Sequence, residues 1–447
     1  MTVVICGGKI YLMKQKSGLF VTLFCISLSL SSCGSDNNQP IDKGTPFEAV
    51  IENEITSKGY DITFYYKDDF FYKSASIFNK DLAVLSLSLA CNNNQHQVQS
   101  YVEKIGLDNI YYSPEYHQEA EGKEAFMLAH KQFDDFDLIV ISPRGSCYSL
   151  GWSGNFKVGL SGDHEDFDSA SNYILEGLQE YMNNYSENPI KYWVTGYSRG
   201  AAIANSFAGK LLQDSKLNAN EDNTYVYTFE TPRTVDINNR VDYKNVFNFI
   251  NKSDIVTHLP PEAHGFARHG QDIYLSSIRA EALAKKIDST ISLTPFKSSG
   301  NYATEDQYIR YIFSLLSKNE DEGIAINTRE AYYYNHQENV VYLINLLMNL
   351  KSSTFNKIGE GLSEMQSYEY ITFLGEDALY NFLIPYLDED GLKYDKDVFK
   401  ERINKFVKSL KGLAGNVFLE LAGSYKNFYR MIEMHASIIT YVLINNL

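Results

Sequence analysis

The chain has 447 residues, room for one large domain with an insertion or for two ordinary ones, so size sets no limit on core formation. Its composition is that of a folded protein, 44% hydrophobic and 21% charged, and it is rich in aromatics, with 34 Tyr and 26 Phe. A formal net charge of −16, with no concentrated Lys/Arg run to offset it, repels phosphate backbones and argues against nucleic acid as a partner.

The same charge offers no attraction to an anionic bilayer, so residence at a membrane requires a covalent or hydrophobic anchor. Lys14 and Lys16 follow Met13, which suits a start, and Leu19 to Leu30 is apolar but short for a bilayer span. Residues 1–33 therefore read as a signal peptide. Leu30-Ser31-Ser32-Cys33 is similar to the lipobox of bacterial lipoproteins, which implies acylation of Cys33 and a place in the bacterial cell envelope, facing the periplasm or the exterior. Residues 34–45 are polar, with Gly, Ser, Asn, Asp and Pro, and suit a flexible tether. Cys6, Cys25 and Cys33 fall in the leader, leaving Cys91 and Cys147 for the folded body; a single bridge between them is open, and no zinc spacing is present.

From Tyr60 to Tyr72, aromatic and β-branched residues suggest strands, and Leu82 to Ala90 is a compact apolar run suited to a buried helix. Leu138-Ile139-Val140-Ile141 is continuous and apolar, as a parallel strand buried on both faces requires. A helical pattern over 166–183 follows, then a strand over Tyr192 to Thr195 and a small-residue helix from Ser198 to Leu212. Further strands fall at Tyr225 to Phe229 and Val246 to Ile250. Strands alternating with helices imply a mostly parallel sheet with helices on its faces, an α/β architecture. Beyond about residue 276 the patterns are long and helical, at 304–317, 338–350 and 396–413.

Gly196-Tyr197-Ser198-Arg199-Gly200 lies between the strand and the small-residue helix, the setting of a nucleophile elbow. Glycines two residues either side of the serine remove side chains that would collide in so tight a turn. A helix N-terminus there favours developing negative charge.

The run from Val194 to Ala204, VTGYSRGAAIA, resembles the nucleophile segment of the class 3 lipases, especially their bacterial lipase-like relatives. Tyr197 stands where a histidine is usual. Residues 139–146, IVISPRGS, are similar to the family strand that ends in Arg-Gly-Ser or Arg-Gly-Thr, with Pro143 where an aromatic is usual and Trp152 at the family's tryptophan position. The resemblance implies an α/β-hydrolase fold, Ser198 as nucleophile, an oxyanion hole from Ser146 and the backbone N–H of Arg199, and a flap over 147–160.

Asn251 to Val256 followed by Leu259-Pro260-Pro261 resembles the family neighbourhood of the triad acid, which implies Asp254 in that role. Residues 227–233, YTFETPR, match its strand ending in Pro-Arg. The base must follow the acid in this chain order. The resemblance implies His435, in MHASIITYVLINNL near the C-terminus; His269 is the alternative base, with His258, His264 and His336 also open.

These readings divide the chain into a hydrolase core at 46–275, a helical cap inserted at 276–430, and a terminal segment at 431–447 carrying the histidine. The implied activity is cleavage of carboxylic esters, of triacylglycerol or phospholipid type, through an acyl-enzyme, with lipid or acyl ester as substrate, a membrane reached through the N-terminal anchor, and no metal or organic cofactor. Two alternatives stay open: a related acyl hydrolase such as a thioesterase or deacetylase, and a non-catalytic surface lipoprotein that keeps the fold for binding.

Overall fold

Asp137–Pro143 is buried at every position, which only a strand covered on both faces can achieve. The computed structural model describes residues 2–6, 9–13, 44–94, 98–117, 124–146, 149–183, 188–316, 328–351, 353–354, 357–358, 377–412 and 424–447. Leu19 to Leu30, Cys33, most of the 34–45 tether and Cys147 lie outside the described residues. The chain divides into two units, Met1–Asp42 and Lys43–Leu447. In the first, Thr2–Cys6 pairs antiparallel with Lys9–Met13.

The second unit is built on a seven-stranded sheet. In chain order its strands are β1 (Asp108–Tyr112), β2 (Phe126–Gln132), β3 (Asp137–Pro143), β4 (Ile190–Tyr197), β5 (Thr224–Phe229), β6 (Val246–Asn251) and β7 (Gln271–Leu275), and they lie side by side in that order. From β3 to β7 every pairing is parallel; β1 and β2 add an antiparallel edge.

Alternate residues feed the two faces, as the two-residue period of a strand demands. Leu138, Val140 and Trp193 join one apolar cluster with helices Lys80–Asn94 and Ser437–Asn445 and the hairpin Thr45–Asn53/Lys58–Tyr66. Ile139, Ile141, Tyr192 and Val194 join the other, with helices Glu165–Met182 and Arg199–Gln213. The buried indole is not left wanting a partner: Trp193 Nε1 donates to Ser86 Oγ at 2.8 Å.

Two differences from the sequence expectation have physical causes. The strand expected to run to Tyr72 ends at Tyr66, and Asp68–Tyr72 is a 3-10 turn, because the Asp68-Asp69 pair is a poor strand former. The antiparallel edge was not expected at all: Phe126 to Ala129 are buried on both faces and so lack the alternation that marks a half-exposed strand.

Among the described residues after 276, the helices expected at 304–317, 338–350 and 396–413 are present as Glu305–Leu316, Glu338–Met348 and Lys396–Gly412, with a further one at Ala378–Asp390. Leu343, Leu383, Leu387, Phe399 and Ile403 form an apolar cluster of their own. One attachment to the sheet domain runs through the loop after the short helix Ser149–Gly154, which packs along Glu338–Met348. The buried Arg329 guanidinium donates to five carbonyls of that loop, those of Val158, Gly159, Ser161, Gly162 and Asp163, at 2.5–3.2 Å. Tyr332 Oη donates to the Phe156 carbonyl at 2.9 Å, and Gln337 Oε1 accepts from the Gly159 N–H at 3.1 Å.

Truncating Arg329 to Ala strips the buried Val158 and Gly159 carbonyls of this donor, at about 1–3 kcal/mol for each that water cannot reach. Amide exchange across 156–163 is expected to accelerate by ~10²-fold, corresponding to about 3 kcal/mol of local stability, with the β3 and β4 amides unchanged. Unaltered exchange in that loop would show that the guanidinium does not hold it.

Candidate active site

Ser198 sits between the end of β4 and the helix Arg199–Gln213 with φ 58° and ψ −127°, a conformation an L-residue adopts only when its surroundings impose it. The imposition is visible. The Ser198 N–H donates to the Phe229 carbonyl at the end of β5 at 2.9 Å, and the Ser198 carbonyl already accepts from Ala201 and Ala202 as the first turn of the helix. A side chain at Gly196 would overlap the Gly200 carbonyl, and a Cβ at Gly200 would stand 2.6 Å from the Pro143 carbonyl oxygen at the end of β3. Both glycines are thus required by close backbone approach.

His435 lies in the turn between helices Tyr425–Glu433 and Ser437–Asn445. Its Nε2 is 2.9 Å from Ser198 Oγ, and its Nδ1 is 2.6 Å from Asp254 Oδ2. Asp254 is wholly buried just past β6; its other oxygen accepts from the Val256 N–H at 2.8 Å, so neither side of the carboxylate is left unsatisfied. Burial alone would depress the imidazole, but the Asp254 carboxylate, helped by Glu230 and Glu54, outweighs it and holds His435 up at about 8.

The turn carrying the imidazole is tied down at Met434, His435 and Ser437. The Tyr197 hydroxyl donates to the His435 carbonyl, Asn251 Nδ2 donates to the Met434 carbonyl at 3.1 Å, and Glu54 Oε2 accepts from the Ser437 N–H at 2.8 Å. Tyr197, the residue that departs from the family pattern, therefore supports the imidazole from beneath, with ring centroids 5.4 Å apart.

Ser146 follows β3 beside the elbow helix. Arg199 is buried between Glu124 (2.7 Å) and Asp166 (2.5 Å), and its Nη1 donates to Asn155 Oδ1 at 3.1 Å. Because a guanidinium only donates, that contact fixes the amide orientation, and Asn155 Nδ2 donates to Ser146 Oγ at 3.0 Å. The Ser146 oxygen thus accepts from Asn155, which leaves its proton to give to a reacting oxygen. Asn155 is a link that the sequence reading missed; its only signal was a polar side chain nine positions after Ser146.

The other histidines stand apart from this cluster. His269 packs against Gly209, eleven residues along the elbow helix and so roughly 16 Å from its start. There its Nδ1 accepts from the Val241 N–H at 3.1 Å, and burial lowers its pKa. His258 Nε2 donates to the Lys252 carbonyl at 3.0 Å and is pushed down to about 4 by burial. His264 stacks near Tyr332, and burial lowers His336. Cys91 is a buried free thiol. Among the described residues, no group of three His, Cys, Asp or Glu side chains is disposed to hold a metal ion.

A mostly parallel sheet with helices on both faces and a serine on a strained strand-to-helix turn is the arrangement of the α/β-hydrolase fold. Residues 123–264 match the family model described as lipase (class 3), a stretch of about a third of the chain. A curated lipase from Rhizomucor miehei is 28% identical over 150 residues, 30% of this chain and 40% of its own length, so the chain spans well under half of that relative. Among solved structures, the native Rhizomucor miehei lipase propeptide complex aligns at 21% identity with a TM-score of 0.34, over 44% of this chain and 68% of the other. A lipase from Rhizopus microsporus var. chinensis aligns at 17% identity with a TM-score of 0.32, over 52% and 83%.

Gly200→Ala forces its Cβ against the β3 backbone, where neither partner can yield cheaply. A loss of about 1–3 kcal/mol by chemical denaturation is expected, whereas an unchanged midpoint would mean that strand and helix are not in close contact there.

Proposed function

We propose that this chain is a serine hydrolase that cleaves carboxylic esters of lipase or esterase type, triacylglycerol-like or phospholipid-like, through an acyl-enzyme on Ser198. The observation that carries the reading is the continuous relay Ser198 Oγ, His435 Nε2, His435 Nδ1, Asp254 Oδ2, with links of 2.9 and 2.6 Å, at a serine held on a strained turn. The class 3 lipase match over 123–264 and the similarity to a fungal lipase support the substrate class.

In this mechanism His435 takes the Ser198 proton as the oxygen attacks the ester carbonyl, and Asp254 fixes the tautomer and stabilises the imidazolium. The carbonyl oxygen becomes an oxyanion, received by the Ser146 hydroxyl and the Arg199 backbone N–H. His435 then protonates the departing alcohol, and in the second half it activates water to release the acid and free Ser198.

Placement follows from charge and leader. A protein of net charge −16 gains nothing electrostatically from an anionic bilayer, so delivery to a lipid surface falls to acylation at Cys33, in the bacterial cell envelope. The helical segment 276–430 acts as a cap over the flap, a reading supported by the Arg329 clamp.

Ser198→Ala and His435→Ala are each expected to lower hydrolysis of a short p-nitrophenyl ester by ~10⁴-fold or more, while His269→Ala keeps wild-type rates. Labelling of the purified protein by a fluorophosphonate separates an enzyme from a binding protein: no covalent adduct at Ser198 would sink the hydrolase reading. An acyl-ester panel that includes thioesters and acetylated sugars then decides among acyl hydrolases.

For the anchor, metabolic labelling with an alkynyl fatty acid is expected to mark the wild-type chain in the membrane fraction, and Cys33→Ala to abolish the label. A membrane-bound, unlabelled wild type would refute acylation at that cysteine.

A further inference from the structure

Glu230 is an expensive residue where it stands. It is wholly buried, directly after β5, with φ 48°, a left-handed backbone that glycine would adopt without cost. Burying a carboxyl group costs several kcal/mol unless its oxygens are satisfied, and here both are. Oε1 accepts from Thr440 Oγ1 at 2.7 Å and Oε2 accepts from the Asn251 N–H at 3.0 Å.

Those partners are informative. Thr440 belongs to the helix that begins two residues after His435, and Asn251 ends the strand that leads to Asp254. Asn251 also donates to the Met434 carbonyl, beside the imidazole. On its N-terminal side Glu230 follows Phe229, whose carbonyl accepts from the Ser198 N–H. One carboxyl group therefore touches or adjoins all three segments that carry the relay.

We propose that Glu230 is a positioning residue of the same site, a second carboxylate behind the Asp254–His435 pair that ties the acid-bearing turn to the base-bearing helix and stabilises the imidazolium formed when Ser198 gives up its proton. The inference rests on the serine-hydrolase reading.

The electrostatics agree in direction. Burial, and next the Asp254 carboxylate, push the Glu230 carboxyl above the usual carboxylate range, while the Thr440 hydroxyl and the Asn251 N–H hold it down. The charged groups around Glu230 are Asp254 and His435, with Arg268 behind, whose Nε donates to the Thr231 carbonyl at 2.6 Å. The Tyr197 hydroxyl lies on the sheet side, and Glu54 faces the imidazole from the N-terminal hairpin. Ionised Glu230 favours the imidazolium; removing that charge lowers the imidazole pKa, so neutral base becomes available at lower pH.

Glu230→Gln separates charge from geometry. A Gln amide oxygen can accept from the Asn251 N–H while its NH2 donates to Thr440 Oγ1, so both ties survive and only the charge is lost. The test follows the second-order rate of fluorophosphonate labelling of the full chain against pH. For Glu230→Gln the acid limb is expected to move down by about one pH unit, with the plateau several-fold lower. Thr440→Val, which removes a hydrogen bond that favours the ionised carboxyl, is expected to move it the same way by less, and stands in if the Gln variant fails to fold.

A folded, labelled Glu230→Gln with an unshifted limb would overturn the proposal and leave the hydrolase reading intact, as would an unshifted Thr440→Val where only that variant folds. A wild type that takes no label removes the hydrolase reading itself.

Discussion

An imidazole near the end of the chain and a carboxylate 181 residues before it meet at 2.6 Å, and most of what is distinctive in this structure serves that contact. Asp254 is buried without exposure, a position a lone carboxylate cannot hold. It is tolerated because one oxygen takes a backbone N–H and the other takes the imidazole. The imidazole in turn is held by its own chain: the carbonyls at Met434 and His435 and the N–H at Ser437 all have partners on the sheet domain. Four separate segments, ending at Glu54, Tyr197, Asn251 and Ser437, must be assembled before the pair exists. The relay is therefore a product of the whole fold and of no local piece of it.

The serine is prepared by different means. Its backbone strain is imposed by parallel strands β4 and β5 on one side and the first helical turn on the other; Gly196 lets that turn close, and Gly200 lets β3 come close enough to place Ser146 nearby. Arg199 then has two uses. Its backbone opens the helix directly after the serine, and its guanidinium, neutralised by Glu124 and Asp166, steers Asn155 and through it the Ser146 hydroxyl. Such a chain of donors is preorganised: the orientation is set before any substrate arrives, which is where electrostatic stabilisation draws its advantage.

The helical segment between Asp254 and His435 has its own apolar cluster and is joined to the loop after Ser149–Gly154 by the Arg329 guanidinium, by two further side-chain bonds and by apolar contact of Tyr332 with Val158 and Phe266. The loop and the helices Arg329–Tyr332 and Glu338–Met348 are thereby held together by both polar and apolar contacts.

The elbow and the α/β alternation were legible because each is written in neighbouring residues, G-x-S-x-G between an apolar run and small residues and apolar runs at parallel-strand length, whereas Asp254 was singled out by the resemblance of its neighbourhood. The choice of His435 over His269 needed the resemblance, since both follow the acid in sequence. Geometry separates them, with His269 well along the elbow helix from the serine. Glu230, Asn155 and the Tyr197 hydroxyl were not legible, although an acidic residue directly after a fully buried strand was a signal that a partner had to exist.

What the sequence determined by itself was local: which segments are strands, where the chain must turn sharply, and which hydroxyl is exposed by that turn. What the tertiary structure alone decided was which imidazole reaches it, which carboxylates surround that imidazole, and which amide orients Ser146. Periodicity and glycine spacing act over a few residues, whereas hydrogen bonds across 75 to 238 positions arise only after the sheet has closed.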